Sequence, residues 1–447
     1  MNPRRLTGDA RPRAMLPMDQ YDIDPTTGFF PPRPLPRLTG RFGVWECALD
    51  EAVEKLSLGE DTRAEAKAKR MSGETWRAQI RSMPLLDTQD LLVDYRILQR
   101  AHKVLAFLIQ FYVHSRPPSN QASPLLIPRC LAVPIVQVSR VLGIAPVLTF
   151  ADTVLWNVEP IDSSRSMSAS NMRFVHLFSG TEAEHEFYMS SAKAELVGVE
   201  LLNVFENYLH SPNPADLLAV ATTAKDIAGI AKVIKRITDV ATDIKNHVPP
   251  STFYWDVRPW YRGSAASGDP ESRWIYEGVE NSDKLDLSGP SAGQSTVMHA
   301  IDVFLDVDHK QQQRRSTPAT EANKKADKNF MERMWRYMPG VHHQYLKDLR
   351  DFQTPIRSLA RESPLLRDAY DKAVLSLKEF RDAHLQVATL YVISMARTAP
   401  PGTSEEAEER ASFSAKGPSR GTGGMVLATQ LKSGRDSTTR TLLGSKP

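Results

Sequence analysis

A histidine on the apolar stripe of a long helical segment has the clearest chemical potential in this sequence. Between residues 365 and 396, Tyr370, Ala373, Leu377, Phe380, His384, Val387 and Tyr391 recur every three or four positions, the spacing of one helix face. His384 therefore points to the core side, with Arg381 one turn behind it. A buried imidazole on a rigid helix is what a single axial metal ligand requires. An ordinary core histidine satisfied by a hydrogen bond gives the same pattern. His342-His343, following Arg336-Tyr337-Met338-Pro339, is the rival ligand position, although adjacent helical residues diverge and serve one metal poorly together.

A second constellation packs Phe253, Tyr254, Trp255, Trp260 and Tyr261 around Arg258 and Arg262. Aromatic faces beside a guanidinium fork suit a planar aromatic ligand that carries a carboxylate. An aromatic core edge with snorkelling arginines is the plainer alternative. Gly289-Pro290-Ser291-Ala292-Gly293-Gln294-Ser295 resembles a phosphate loop superficially, but it is one residue short and has Gln294 where lysine belongs, so it argues against nucleotide binding. Small residues opening a helix suit a place where backbone approaches a flat ligand. No HExxH or facial-triad pattern occurs, and Cys47 and Cys130 lack a base partner in sequence, which disfavours zinc hydrolysis and catalysis by a cysteine nucleophile.

The elements that must position these groups are helices. Helical periodicity runs through 86–113, 187–210, 215–247 and 365–396, with Pro249-Pro250 closing the third and Ser363-Pro364 opening the last. Strand-like alternation is scarce, so an all-α fold is expected. Residues 1–40 hold eight prolines and read as an extended arm. Residues 116–150 suggest a buried irregular connection followed by short helices. Residues 307–328 carry six Lys/Arg and read as a solvated loop. Residues 398–424, with their terminal glycines, read as a hinge or lid.

Composition bounds the rest. The 447 residues are 41% hydrophobic and 24% charged, ordinary for a globular protein with a large core. Two cysteines exclude a disulfide-built fold and a Cys-rich zinc module. A net charge of +3 is too mild for a nucleic-acid footprint. No apolar stretch is long enough to span a membrane, and the arginine-bearing N-terminus lacks a secretory apolar core. A cytoplasmic location is expected, with a mitochondrial presequence weakened by Asp9 and the early prolines.

In motif order, the chain resembles the indoleamine 2,3-dioxygenase family across roughly 125–435. The resemblance rests on Leu142-Gly143 through Phe150-Ala151-Asp152 to Leu155, on Phe187-Tyr188 with Ser191, and on Phe253 to Gly263. It continues through Ile275-Tyr276-Glu277-Gly278, Ser291-Ala292-Gly293-Gln294-Ser295 and Arg336-Tyr337-Met338-Pro339. It ends in His384-Leu385-Gln386 with Thr389 and Tyr391, and in Gly421-Thr422-Gly423-Gly424. The family opens the indole ring of tryptophan on haem. The resemblance implies haem b, with iron held by His384. It also implies Arg381 at a haem propionate, Asp302 as that arginine's acid partner, and Ser291 and Ala292 along the haem edge. Arg258 would take the substrate carboxylate, with Phe253 and Tyr254 against the indole. Phe150, Thr153, Val154, Phe187 and Ser191 would line the distal pocket, and Thr422 would belong to the closing loop.

The implied organisation is the 1–40 arm, a small N-terminal domain over 41–178 roofing the distal side, and a large helical haem domain over 179–447. The implied reaction adds O₂ across the indole C2–C3 bond of L-tryptophan to give N-formylkynurenine, the first step of the kynurenine route toward NAD. An electron donor would keep the haem ferrous, in a monomer without nucleic-acid or membrane partners. Departures from the family pattern are Phe150 for a tyrosine, Thr153 for a cysteine, Pro290 for a glycine, Met298 for an aromatic residue, and three extra residues before Gly421. Insertions like 307–328 occur in fungal relatives. The alternatives are a haem protein that binds O₂ reversibly and a weakly active paralogue. Arg258 and Thr422 argue against a carrier, which needs neither.

Overall fold

The computed structural model describes residues 18–118, 124–210, 216–264, 273–307, 309, 330–352, 355–401, 421–422 and 426–444. The 307–328 segment lies outside the described residues except for Val307 and His309, and 398–424 does so except for 398–401 and 421–422.

Described strands are short. Leu125–Ile127 pairs in parallel with Trp274–Tyr276, and Val158–Glu159 pairs antiparallel with Arg173–Phe174. Everything else of length is helical: α1 Gly43–Lys55, α2 Ala64–Ala68, α3 Arg70–Ser82, α4 Tyr95–His114 and α5 Arg129–Leu142. There follow α6 Glu182–His210, α7 Leu217–His247, α8 Thr296–Phe304, α9 Gly340–Arg350, α10 Ile356–Glu362, α11 Pro364–Ala388 and α12 Leu427–Thr441. Among the described residues, no helix is long and apolar enough to cross a membrane.

The boundaries have local causes. Asp94 caps α4 by accepting from the Arg96 and Ile97 amides, and Ser363 caps α11 from Leu366 with Pro364 at the first helical position, the placements expected of both residue types. The segment 116–150, expected to hold an irregular connection followed by short helices, contains one continuous helix, α5, which runs through Pro134. Burial of Leu131, Ile135, Val138 and Leu142 along one face outweighs the ~3 kcal/mol cost of an internal proline. Arm residues Phe29, Phe30, Leu35 and Leu38 are buried in the main core.

α7 carries the buried stripe Ile227, Ile230, Ile234, Ile237 and Ile244; α6 and α11 pack along α7, and α12 packs along α11. Three wide π-helical turns interrupt this regular framework, at Ala151–Leu155, Phe253–Val257 and Thr389–Ser394. Each places residues on the same cavity, a frequent use of such turns.

Candidate active site

The stripe that buries Tyr370, Ala373, Val374 and Leu377 in the core of α11 changes character one turn later. Phe380, His384 and Val387 line a cavity of about 370 Å³, together with residues of α6, α7, α8, α12 and the three wide turns. The His384 ring lies nearly parallel to Phe380, 11° apart with centroids at 5.9 Å. It is partly exposed to the cavity, yet closely surrounded by protein. Burial first, and the Arg381 charge second, push its pKa down, so the imidazole is neutral and able to coordinate. Its rival is elsewhere: His342 is buried against Phe29, with centroids 4.7 Å apart, and does not line the cavity.

Arg381 faces the same cavity and is held on several sides. Its Nη2 donates to both Asp302 oxygens at 2.5 and 2.6 Å, its Nη1 to the Gly434 carbonyl at 2.7 Å and to the Thr438 hydroxyl. Burial would raise the Asp302 pKa, but the Arg381 and His309 charges outweigh it and hold the carboxyl at about 2. A neutral imidazole one turn from a fixed guanidinium, among mostly apolar walls, suits axial ligation of a flat cofactor that carries carboxylates. The described residues that cluster more than two potential metal ligands, Glu182, His185 and Glu186, sit on the outer first turn of α6, where the helix dipole disfavours a cation.

The opposite wall comes from the first wide turn and α6. Phe150, Thr153, Val154, Phe187 and Ser191 all reach the cavity. The Thr153 hydroxyl donates to the Thr149 and Phe150 carbonyls, at 3.2 and 3.3 Å, and Ser191 to Phe187 at 3.5 Å. These five residues supply no general base at neutral pH.

Arg258 and Phe253 line the cavity from the segment after α7. The Arg258 guanidinium lies 5.3 Å above the Tyr254 ring. Burial lowers its pKa, and it remains a cation. α4 anchors this segment, since the buried Gln110 amide donates to the Trp260 carbonyl and His114 Nε2 reaches the Arg262 carbonyl. Tyr254 departs from expectation. It does not line the cavity, because one step along a helical turn swings the side chain off the face that Phe253 occupies. It supports Arg258 instead.

Between these walls runs Gly289–Ser295. Gly289 is required by close approach: a Cβ there would stand 1.8 Å from the Tyr261 carbonyl oxygen. The buried Gln294 side chain accepts from the Phe150 amide at 2.9 Å and donates to the Gly289 carbonyl at 3.0 Å, tying this segment to the first wide turn. Ser291 and Ala292 line the cavity. Thr422 is docked here too, its hydroxyl donating to the Pro290 carbonyl at 2.5 Å while its own carbonyl accepts from Gly289.

Glu195 and His299 line the cavity as well, although the sequence reading did not single them out. Glu195 is buried, accepts from Ser295, and has its pKa pushed up by burial to about 7. His299 is pushed down by burial to about 4; it accepts from the Trp335 indole at 2.8 Å and contacts the Gly293 carbonyl at 2.8 Å. Tyr261 donates to the buried Glu184 at 3.3 Å. Glu195 had a legible signal, an acid four residues after Ser191 on the face of Phe187. The placement of His299 depends on contacts remote in sequence.

Comparison with known proteins gives a consistent answer. The family model described as indoleamine 2,3-dioxygenase matches residues 17–441. Mouse indoleamine 2,3-dioxygenase 1 is 27% identical over 428 residues, covering 95% of this chain and 96% of the relative. The indoleamine 2,3-dioxygenase of Saccharomyces cerevisiae is 27% identical, covering 99% and 98%. A 6-hydroxytryptophan 2,3-dioxygenase of Fusarium equiseti is 26% identical, covering 85% and 86%.

Proposed function

The chain belongs to the indoleamine 2,3-dioxygenase family of oxidoreductases, and from that premise we propose that it converts L-tryptophan and O₂ to N-formylkynurenine on haem b held by His384. The observation that carries this reading is one cavity lined by His384, Arg381 and Arg258 together. That set matches the needs of an iron ligand, a propionate partner and a substrate-carboxylate partner.

The residues present fit haem. His384 has no hydrogen bond among the described residues that would occupy its ring nitrogens, and the cavity lining is largely apolar. Arg381 offers a fixed positive charge, and the Ser291 hydroxyl a donor, to carboxylates. When bound, haem supplies O₂ activation, the step protein side chains cannot perform.

The protein's own contribution is placement. Arg258, desolvated at the cavity wall, attracts the amino-acid carboxylate more strongly than it would in water. Phe187 and Phe253, with ring centroids 4.7 Å apart, give the indole an apolar surface. Thr422, with its hydroxyl proton directed at Pro290, leaves oxygen lone pairs to accept from a substrate ammonium. Phe150, Thr153, Val154, Phe187 and Ser191 themselves offer no base, which agrees with a reaction that leaves the indole N–H in place. We place the enzyme in the cytoplasm, acting as a monomer with an external electron donor. Residues 41–178 would roof the distal side, and 179–447 would hold haem.

An absorbance time course tests the proposal. Haem-reconstituted, reduced protein in air should accumulate N-formylkynurenine on addition of L-tryptophan while its haem band persists. A haem band without product, even at high tryptophan, would reject the substrate assignment. Retention of haem by a His384→Ala variant after gel filtration would reject the ligand assignment.

A further inference from the structure

On the haem-dioxygenase reading above, we propose that Glu195 is a positioning residue: through Ser295 it fixes the cofactor-flanking segment Ser291–Ser295 relative to the substrate wall of Phe187 and Ser191.

The argument starts from one face of α6. Phe187, Ser191, Glu195 and Gly198 follow at intervals of four, four and three, so they form a single stripe. The first three line the cavity that His384 also lines. The last two hold the beginning of α8. Glu195 Oε1 accepts a hydrogen bond from the Ser295 hydroxyl, while that same oxygen of Ser295 accepts from the Met298 amide at 3.2 Å and caps α8. The Ser295 amide closes the preceding turn on the Ala292 carbonyl at 3.1 Å. One turn along α6, a Cβ on Gly198 would stand 2.4 Å from a Val297 methyl, so the two helices approach closely there. α6 thus carries the substrate wall directly and the cofactor-flanking segment through one side-chain bond.

The use of an acid here is costly. Glu195 is 3% exposed, and its Oε2 has no hydrogen-bond partner among the described residues; a leucine would fill the space without desolvating a carboxyl group. The elevated pKa, about 7 through burial, has the same origin. What the acid adds over leucine is the bond to Ser295. Because one helix bears on both the substrate wall and the cofactor-flanking segment, misplacement of that segment affects how substrate and cofactor align. Even shifts of about 1 Å lower rates strongly without removing a contact to substrate.

The test uses full-length protein and four variants: Glu195→Gln, Glu195→Leu, Ser295→Ala and the Glu195→Leu/Ser295→Ala double. Haemin is titrated into the haem-free protein, and kcat and KM for L-tryptophan are measured at haem saturation. Glutamine retains the acceptor, so Glu195→Gln should stay within about twofold of wild type. Glu195→Leu and Ser295→Ala should each lose about tenfold in haemin affinity and in kcat, with KM held within about twofold. The double variant should be no worse than either single, as members of one bond behave. Wild-type haemin affinity and kcat in Glu195→Leu, or additive losses in the double, would overturn the proposal. If Glu195→Leu fails to fold by circular dichroism, Ser295→Ala decides alone, and wild-type behaviour there is equally fatal. Failure of the wild-type protein to take up haemin would instead reject the parent reading.

Discussion

Asp302 grips the Arg381 guanidinium through both carboxylate oxygens, 2.5 and 2.6 Å from Nη2, and both side chains are largely buried, at 6% and 13% exposure. Arg381 reaches the cavity from α11 and Asp302 from α8, so the pair joins two helices as well as orienting a cation. Asp302→Asn should lower unfolding free energy by about 3 kcal/mol, because removing one partner leaves a buried charge without compensation. It should also weaken haemin retention. Guanidinium denaturation of the haem-free protein separates the two effects, and an unchanged midpoint would mean the pair adds no stability.

Arg258 is the second cation at the cavity, and its neighbours make truncation informative. The Tyr254 ring lies beneath it and would remain after Arg258→Ala. Loss of a buried bidentate partner for the substrate carboxylate is worth on the order of 3 kcal/mol, or about a hundredfold. The expected result is a hundredfold rise in apparent KM for tryptophan, with haem content unchanged. Normal tryptophan affinity in this variant would transfer the carboxylate role elsewhere.

Stability should fall as pH drops through the slightly acidic range. His299 and His342 are fully buried, and burial holds both at about 4 in the folded state against 6.5 when unfolded. Between those values the unfolded chain binds more protons, so stability rises with pH and is lost as pH falls from about 6.5 toward 4. The full effect is about 3 kcal/mol per histidine at 1.36 kcal/mol per pKa unit. Asp302 adds a later loss, since its carboxyl is held at about 2 and its contribution disappears as pH falls from about 4 through 2. Melting curves at pH 7.5, 6.0 and 5.0 should show steadily declining midpoints, with a smaller decline in His342→Leu.

Much of this arrangement was legible in the sequence, and the limits have physical causes. The α11 stripe was readable because helical periodicity is local, and it led to His384 without knowledge of the fold. Periodicity could not show that the stripe leaves the core between Leu377 and Phe380, since a cavity and a core both call for apolar neighbours. Tyr254 was misplaced because spacing in a cluster does not reveal which residues of an irregular turn face inward. The pairing of Arg381 with Asp302 spans 79 residues, and only family resemblance suggested it. Likewise, α5 continues through Pro134 because tertiary burial overrides a local penalty that the sequence displays plainly.

Lys103 tests how far the helical framework is optimised for stability. It lies on α4 with no exposure, its Nζ has no hydrogen-bond partner among the described residues, and the Phe107 ring centroid is 6.0 Å away. Burial, reinforced by the Arg100 charge, pushes its pKa well below the usual lysine value. An unfolded lysine holds its proton up to about 10.5, so this residue disfavours folding throughout the neutral range, and the penalty fades as pH rises. Methionine has a similar length and no charge to desolvate. Lys103→Met should therefore stabilise the protein by about 1–3 kcal/mol at pH 7, and its advantage over wild type should shrink as pH approaches 10. A destabilised variant, or an advantage independent of pH, would mean that the amine makes a favourable interaction in the folded protein.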